Sequence, residues 1–540
     1  MNKQSKLYDH YLIYIGGTSV RQAMANSHYR FMEWLYRRES EKRSEFDVCH
    51  NIVPAMDQAN PDLALLEKIT EAEKLLIGGE THLAVIRLSD MQVQAQAEAE
   101  PGQKTQQTSR FGDNRSPLIR DNIFFPEQYK ELDTKHGYFS IQSLGSVIGP
   151  IVFEKAFEAR NDKVSELAGI VDKVINSNGN QAVHVILCGA STWGGEGRTH
   201  TNILPGLLHR KCVDKLVETG RMTENVADQH VREHLLIDSI MHGAYFRFPE
   251  LEKDKDVNQL TEETLANFDT DSSSRIHTFA LIDHDLPCVL AEKPSDYGEQ
   301  FRHAHAAELV ACDITEKCIQ EPFSGQRCIL PHYAVAGPWT NWEALAVSDD
   351  TRRMMVSFLR FFAVLAYFLR PQLGTGLADI SEEDLYYTRI LAIAYGAYGR
   401  DLEELKTRDD IEAEVLVPFW TMYQRAEMIV NWIYEISVTG RDWQTGDDAL
   451  ACKYTSLFNV DEIRSLLNMD REETGREKSR REEPRIDQFN LDVLSACEEG
   501  NPASTGLTPD KVILQLGSRT LSDQYTFTDL MKDIYDIVRI

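Results

Sequence analysis

Cations are in short supply in this 540-residue chain: 57 lysines and arginines stand against 85 aspartates and glutamates, for a net charge of -28. A surface that negative repels phosphate backbones and anionic headgroups at long range, which argues against nucleic acid as a partner. Long apolar runs are missing too. The most apolar stretch, Met354 to Leu369, is interrupted by Arg360 and falls short of the roughly 20 residues a bilayer span needs. It reads as a buried core helix, and no membrane span is expected. The opening residues, MNKQSKLYDHYLIYIGG, lack the apolar run and small-residue cleavage site of a secretory signal. The 9 cysteines are dispersed without a CxxC pair. That pattern argues against a structural zinc site and suits a reducing, cytoplasmic setting.

What is present is ordinary for a globular chain: 42% hydrophobic and 26% charged residues, enough for a sizeable core. Leu7 to Ile15 reads as a strand ending at Gly16-Gly17-Thr18, and Ser19 to Arg38 carries a helical stripe of Val20, Ala23, Phe31, Leu35 and Tyr36. Phe46 to Met56 is a second strand, followed by turn residues Asp57 to Pro61, a helix through Ile77 and a third strand from Thr81 to Leu88. This alternation is the signature of a parallel sheet with crossover helices. A mainly helical stretch follows from about Ile141 to Asn176. Val183 to Cys188 is the most strand-like run, with a helix expected from Asn202. Further strands are expected at His234 to Met241, Ile276 to Ile282 and His332 to Ala336, with a helix from Arg302 to Cys318. Trp342 to Leu467 reads as mostly helical, and the last 40 or so residues as a small strand-and-helix closure.

Two segments carry no apolar pattern. Gln92 to Ser116 is polar and rich in Gln and Ala, and Met469 to Asp487 mixes both signs of charge. The expected division is an α/β domain over 1–320, with an insertion at about 90–118, and a mainly helical region over 321–540 with a charged linker at about 469–487.

The chemistry concentrates in two glycine-rich turns. At Gly16-Gly17-Thr18 a glycine pair between strand and helix lets the backbone approach an anion, and the helix N-terminus offers unpaired N–H groups. The second turn, GASTWGGEGRTHTN from Gly189 to Asn202, sets glycines among the hydroxyls of Ser191, Thr192 and Thr199. The amides of Gly194, Gly195 and Gly197 can form an anion nest there. Neither turn matches a P-loop, because no lysine follows the glycines, and neither matches G-x-G-x-x-G.

The order of these parts resembles the tubulin/FtsZ superfamily, and especially its large, divergent bacterial members. The matching pieces are Tyr14 to Thr18, Met56-Asp57-Gln58, His136-Gly137-Tyr138-Phe139, Gly189 to Thr199, and Ala304-His305-Ala306-Ala307-Glu308-Leu309, spread over residues 7–320. The resemblance implies a three-layer α/β domain binding GTP or GDP, with or without Mg, in a self-assembling or scaffold protein. Gly16, Gly17 and Thr18 would then face the phosphates with Gly194, Gly195 and Gly197. Asp57 would lie near them or a magnesium ion, and Arg302 near the base. The family's GGTGxSG loop reads here Gly194-Gly195-Glu196-Gly197-Arg198-Thr199-His200, with a carboxylate in place of its threonine. No GxxNxD loop is present, so the resemblance implies binding rather than hydrolysis.

Two rival readings stay open. One is a NAD-dependent oxidoreductase with Gly16-Gly17 as the pyrophosphate turn. Against it, Asp57 follows those glycines by about 40 residues, whereas a Rossmann ribose carboxylate follows by about 20. The other is a nucleotide-free regulatory protein of bacterial stress or antiviral defence. A metal or acid/base cluster of Asp283, His284, Asp285, His303, His305 and Glu308 is the weaker reading, because neighbouring strand residues point apart. His200 reads as a helix-start polar residue, and Phe358, Phe361, Phe362, Tyr367 and Phe368 as core.

Overall fold

The computed structural model describes residues 6–16, 19–37, 49–55, 61–77, 82–87, 166–192, 195–246, 275–286, 305–320, 328–329, 333–336, 347–369, 417–438, 506–516, 527–540 and isolated positions such as Phe153, Phe458 and Leu491. The polar stretch at 92–116 and the charged stretch at 469–487 lie outside them.

The strands are β1 (Leu7–Tyr14), β2 (Cys49–Ala55), β3 (His82–Arg87), β4 (Gln181–Ser191), β5 (Leu235–Phe246), β6 (Thr278–Leu286), β7 (Cys328–Ile329) and β8 (Tyr333–Ala336). They form one sheet in the order β3-β2-β1-β4-β5-β6-β7, with β8 also on β6. Every pairing is parallel. The α/β reading of the sequence therefore holds, and the sheet runs past position 320 through β7 and β8.

Around it lie α1 (Ser19–Tyr36), α2 (Pro61–Ile77), α3 (Glu166–Asn176), α4 (Gly195–Glu218), α5 (Glu224–His234), α6 (His305–Gln320), α7 (Asp349–Leu369), α8 (Val417–Val438), α9 (Pro509–Leu516) and α10 (Phe527–Val538).

Each central strand is apolar on both faces, as buried parallel strands require. Alternate residues divide between two cores. Leu12, Tyr14, Ile186, Cys188, Ile240 and Ile282 face α1, α2 and α6 to α10. Tyr11, Ile13, Val185, Leu187, Ile237 and Leu281 face α3, α4 and α5. Layers on both sides follow from the crossovers. β1 to β3 advance one way and β4 to β6 the other, so right-handed connections place α1 and α2 opposite α4 and α5. The connection after β6 breaks this pattern. α6 lies on the α1 face, which reverses the usual hand and sets α6 against α1.

Several boundaries differ from the sequence reading. The expected helix from Asn202 begins seven residues earlier, so Gly195 and Gly197 belong to its first turn rather than to the loop before it. Glycine propensity hid that turn, since the residue weakens a helix by about 1 kcal/mol relative to alanine. α5 was not anticipated, because its buried face is only Ala227, Val231 and His234. The expected C-terminal strand is absent among the described residues, where α9 and α10 occur instead. α7 carries the apolar run at 354–369 and is sunk in the core, with Phe358, Phe361 and Phe362 each 0% exposed. Among the described residues no helix is long and apolar enough to cross a membrane.

Candidate functional site

β1 and β4 are neighbours, paired from Leu7↔Gln181 to Tyr14↔Cys188, and the strand order reverses between them. A crevice at the carboxyl ends of strands flanking such a reversal is where open α/β sheets take ligands. Both glycine turns leave the sheet at this point. The Ile15 N–H donates to the Cys188 carbonyl at 2.9 Å, which ties the two strand ends together. Gly16 follows at φ 106°, and its carbonyl accepts the Ser19 N–H at 3.1 Å, closing a tight turn into α1. Gly189 sits at φ 78° on the β4 side. A Cβ there would meet the Ser19 Cα at 2.9 Å, so α1 starts against β4 only because the residue is glycine.

The second turn is short. Thr192 is 0% exposed and its N–H donates to the His242 carbonyl at 2.8 Å, so that amide braces the turn against β5. Ser191 is half-buried, and α4 begins three residues after Thr192. The positive ends of the α1 and α4 dipoles thus open at the carboxyl edge of adjacent strands.

Gly16, Gly189, Ser191 and Thr192 are brought together here, with the backbones of Gly195, Gly197 and Thr199 in the first turns of α4. Gly17, Thr18, Asp57, Gly194 and Arg302 lie outside the described residues. Asp57 stands two positions beyond the end of β2 at Ala55.

Sequence reasoning missed the polar floor under the first turn of α1. Gln22, 1% exposed, accepts the His242 Nε2–H on its Oε1 at 3.2 Å and donates from Nε2 to Asn26 Oδ1 at 3.0 Å. Asn26 Nδ2 in turn donates to the Tyr14 hydroxyl at 3.0 Å. Beside them Arg21 donates to Glu308 Oε1 in α6 at 2.9 Å and to Glu435 Oε2 in α8 at 3.2 Å. The Trp432 indole N–H also points to Glu308, at 3.4 Å. Glu308, considered above as a metal ligand, therefore braces α1. Among the described residues no group of three or more His, Cys, Asp or Glu is arranged to hold a metal ion.

A second buried chain crosses the amino half of the sheet. His10 Nδ1 and His184 Nδ1 are 3.0 Å apart, so one must donate and the other accept, and His184 Nε2 meets Asp238 Oδ2 at 2.8 Å. These residues occupy the same face of β1, β4 and β5. The isolated polar letters within apolar runs were the available signal for it.

Burial lowers the His242 pKa to about 4, which keeps the imidazole neutral at pH 7. The unfolded chain binds that proton near the ordinary histidine value of 6.5, so stability is complete above it and drains away as pH falls through 4. The expected loss approaches about 1.4 kcal/mol per pH unit for this proton within that window. Urea midpoints of the wild type and His242→Asn, measured at pH 7.5, 5.5 and 4.5, check it. A variant that keeps the full acid sensitivity would remove His242 as a source.

No family model, no curated protein and no solved structure matches the chain.

Proposed function

We propose that the chain binds a nucleotide at the β1/β4 crevice, preferably GTP or GDP, as a tubulin-like protein that assembles with itself or a partner. One observation carries this reading. Two glycine turns and two helix N-termini converge where the order of a parallel sheet reverses. First-turn amides, which have no partner within their own helix, and the dipole ends suit phosphate, and they need few cations to do so. The tubulin/FtsZ resemblance supplies the preference for guanine. Glu196, in the first turn of α4, would repel a phosphate unless a cation offsets it, so hydrolysis forms no part of the proposal.

A NAD-type dinucleotide is the second reading, and the topology favours it as well, since 3-2-1-4-5-6 is the dinucleotide-binding order. The long spacing to Asp57 argues against it less than the sequence suggested. Residues 37–48 lengthen the connection between α1 and β2, and Asp57 still closely follows the β2 carboxyl end.

Thermal shift with GTP, ATP and NAD, each with and without magnesium, separates the readings. GTP is expected to raise the melting temperature, and Gly195→Glu is expected to abolish that rise by placing a carboxylate at the α4 N-terminus. Stabilisation by NAD alone would transfer the site to the second reading, and no response to any of the three would end both.

A further inference from the structure

The crevice faces a charge problem. The chain carries a net charge of -28, no lysine follows either glycine turn, and at the start of α4 the single cation, Arg198, is cancelled in formal charge by Glu196. His242 offers no help, because burial keeps it neutral and Gln22 engages its Nε2. The first turn of α1, Ser19-Val20-Arg21-Gln22, holds one cation, and it begins against Gly189. We infer that Arg21 is the phosphate-facing cation of this crevice, stored between Glu308 and Glu435 until an anionic ligand takes it, and that its transfer loosens α8. The inference rests on the nucleotide reading above and assigns that site a ligand and a means of regulation.

The storage geometry suits a transferable group. The Arg21 side chain is 22% exposed, Glu308 is 12% exposed and Glu435 is 48% exposed. An ion pair as open to water as Arg21–Glu435 contributes little stability. A phosphate offers the guanidinium paired, charge-assisted hydrogen bonds of greater strength, so it competes well for the same donors. Removal of Arg21 has a consequence at a distance. Glu308 and Glu435 both lie within about one hydrogen-bond length of one guanidinium. Without it they become like charges across the contact between α6 and α8, and repulsion favours separation. Trp432, one turn before Glu435 in α8, shares Glu308 and moves with it. Occupancy at the α1 N-terminus thereby reaches a helix some 400 residues later in the chain, through contacts with two discrete arrangements.

The test uses the full chain with GTP and magnesium as the probe. Affinity is read by calorimetry and the mobility of α8 by hydrogen exchange of peptides covering 417–438. Arg21→Ala is expected to weaken binding about tenfold or more, the loss of one charge-assisted phosphate contact. Glu435→Gln is expected to tighten binding about two- to fivefold, because it removes a competing carboxylate. GTP is expected to speed exchange in α8 of the wild type and to leave α8 unchanged in Arg21→Ala. A structural brace would not produce the gain in Glu435→Gln. Binding by a folded Arg21→Ala within about twofold of wild type overturns the inference, as does α8 exchange indifferent to GTP. Should Arg21→Ala fail to fold by circular dichroism, Glu435→Gln decides, and unchanged affinity overturns it. A wild type that responds to no nucleotide sinks the nucleotide reading and Arg21 with it. That result differs from a wild-type response that the variants leave intact.

Discussion

Replacing Glu73 with leucine is expected to cost about 3–5 kcal/mol, because it strands a buried cation. Arg425 in α8 is 0% exposed and Glu73 in α2 is 4% exposed. The guanidinium donates to Glu73 Oε1 from Nε at 3.1 Å and from a second nitrogen at 2.5 Å. It also donates to His28 Nδ1 at 2.7 Å and lies 4.9 Å from the centre of the Phe31 ring. His28 accepts that bond as a neutral ring, since burial and the adjacent arginine push its pKa well down. Ser27 Oγ donates to the same carboxylate at 2.6 Å. One buried ion pair therefore holds α1, α2 and α8 together. The favourable Coulomb term in such a place mostly offsets desolvation, so the pair as a whole is worth far less than the loss of one member. Glu73→Leu with Arg425→Met is accordingly expected to recover most of the stability. Urea unfolding followed by tryptophan fluorescence reads both. A single-variant loss below about 1 kcal/mol would mean that water reaches the pair.

Gly189→Val is expected to be comparably severe and to act on the site as well. The backbone there is left-handed, which costs a side chain about 1–2 kcal/mol. The new Cβ would stand 2.9 Å from the Ser19 Cα, a backbone atom that moves only if α1 moves, which adds about 1–3 kcal/mol of overpacking. Gly179 provides the control. It has φ 58° and nothing within 4 Å of an added Cβ, so Gly179→Ala reports backbone strain alone. The excess cost at Gly189 over Gly179 measures how closely α1 meets β4. Ligand-induced stabilisation should vanish in Gly189→Val and survive in Gly179→Ala. Equal melting temperatures for the two variants would disprove the close approach.

The sheet was legible because central parallel strands write themselves plainly. Val183 to Cys188 and Tyr11 to Tyr14 bury apolar residues on both faces, and Gly16 marks the turn after β1. The adjacency of the two turns was not readable, since nothing local in either strand says that β4 joins β1 on the side away from β2. The start of α4 was misjudged because Gly195 and Gly197 read as loop, although a helix N-terminus tolerates them. The floor of the site was the least visible part. Gln22 and His242 lie 220 positions apart, and Arg21 and Glu435 lie 414 apart. The placement of α8 over α1 makes Arg21 and Glu435 neighbours, and the packing of α1 on the sheet does the same for Gln22 and His242.

The packing of α1 against α10 ties the fold together across a long stretch of chain. The Arg539 guanidinium stacks 4.0 Å over the Tyr36 ring and donates to the Tyr36 carbonyl, 503 positions away, while Tyr535 meets Tyr36 edge-on at 6.4 Å. The flank of α1 is thus covered by a segment that follows it only after several hundred residues. Lys532 of α10 lies over the Trp34 ring, so this flank of α1 stays exposed in a partly folded state that lacks α10. Contacts of such long sequence separation slow folding, so closure of α10 on α1 is expected to follow formation of the local helices.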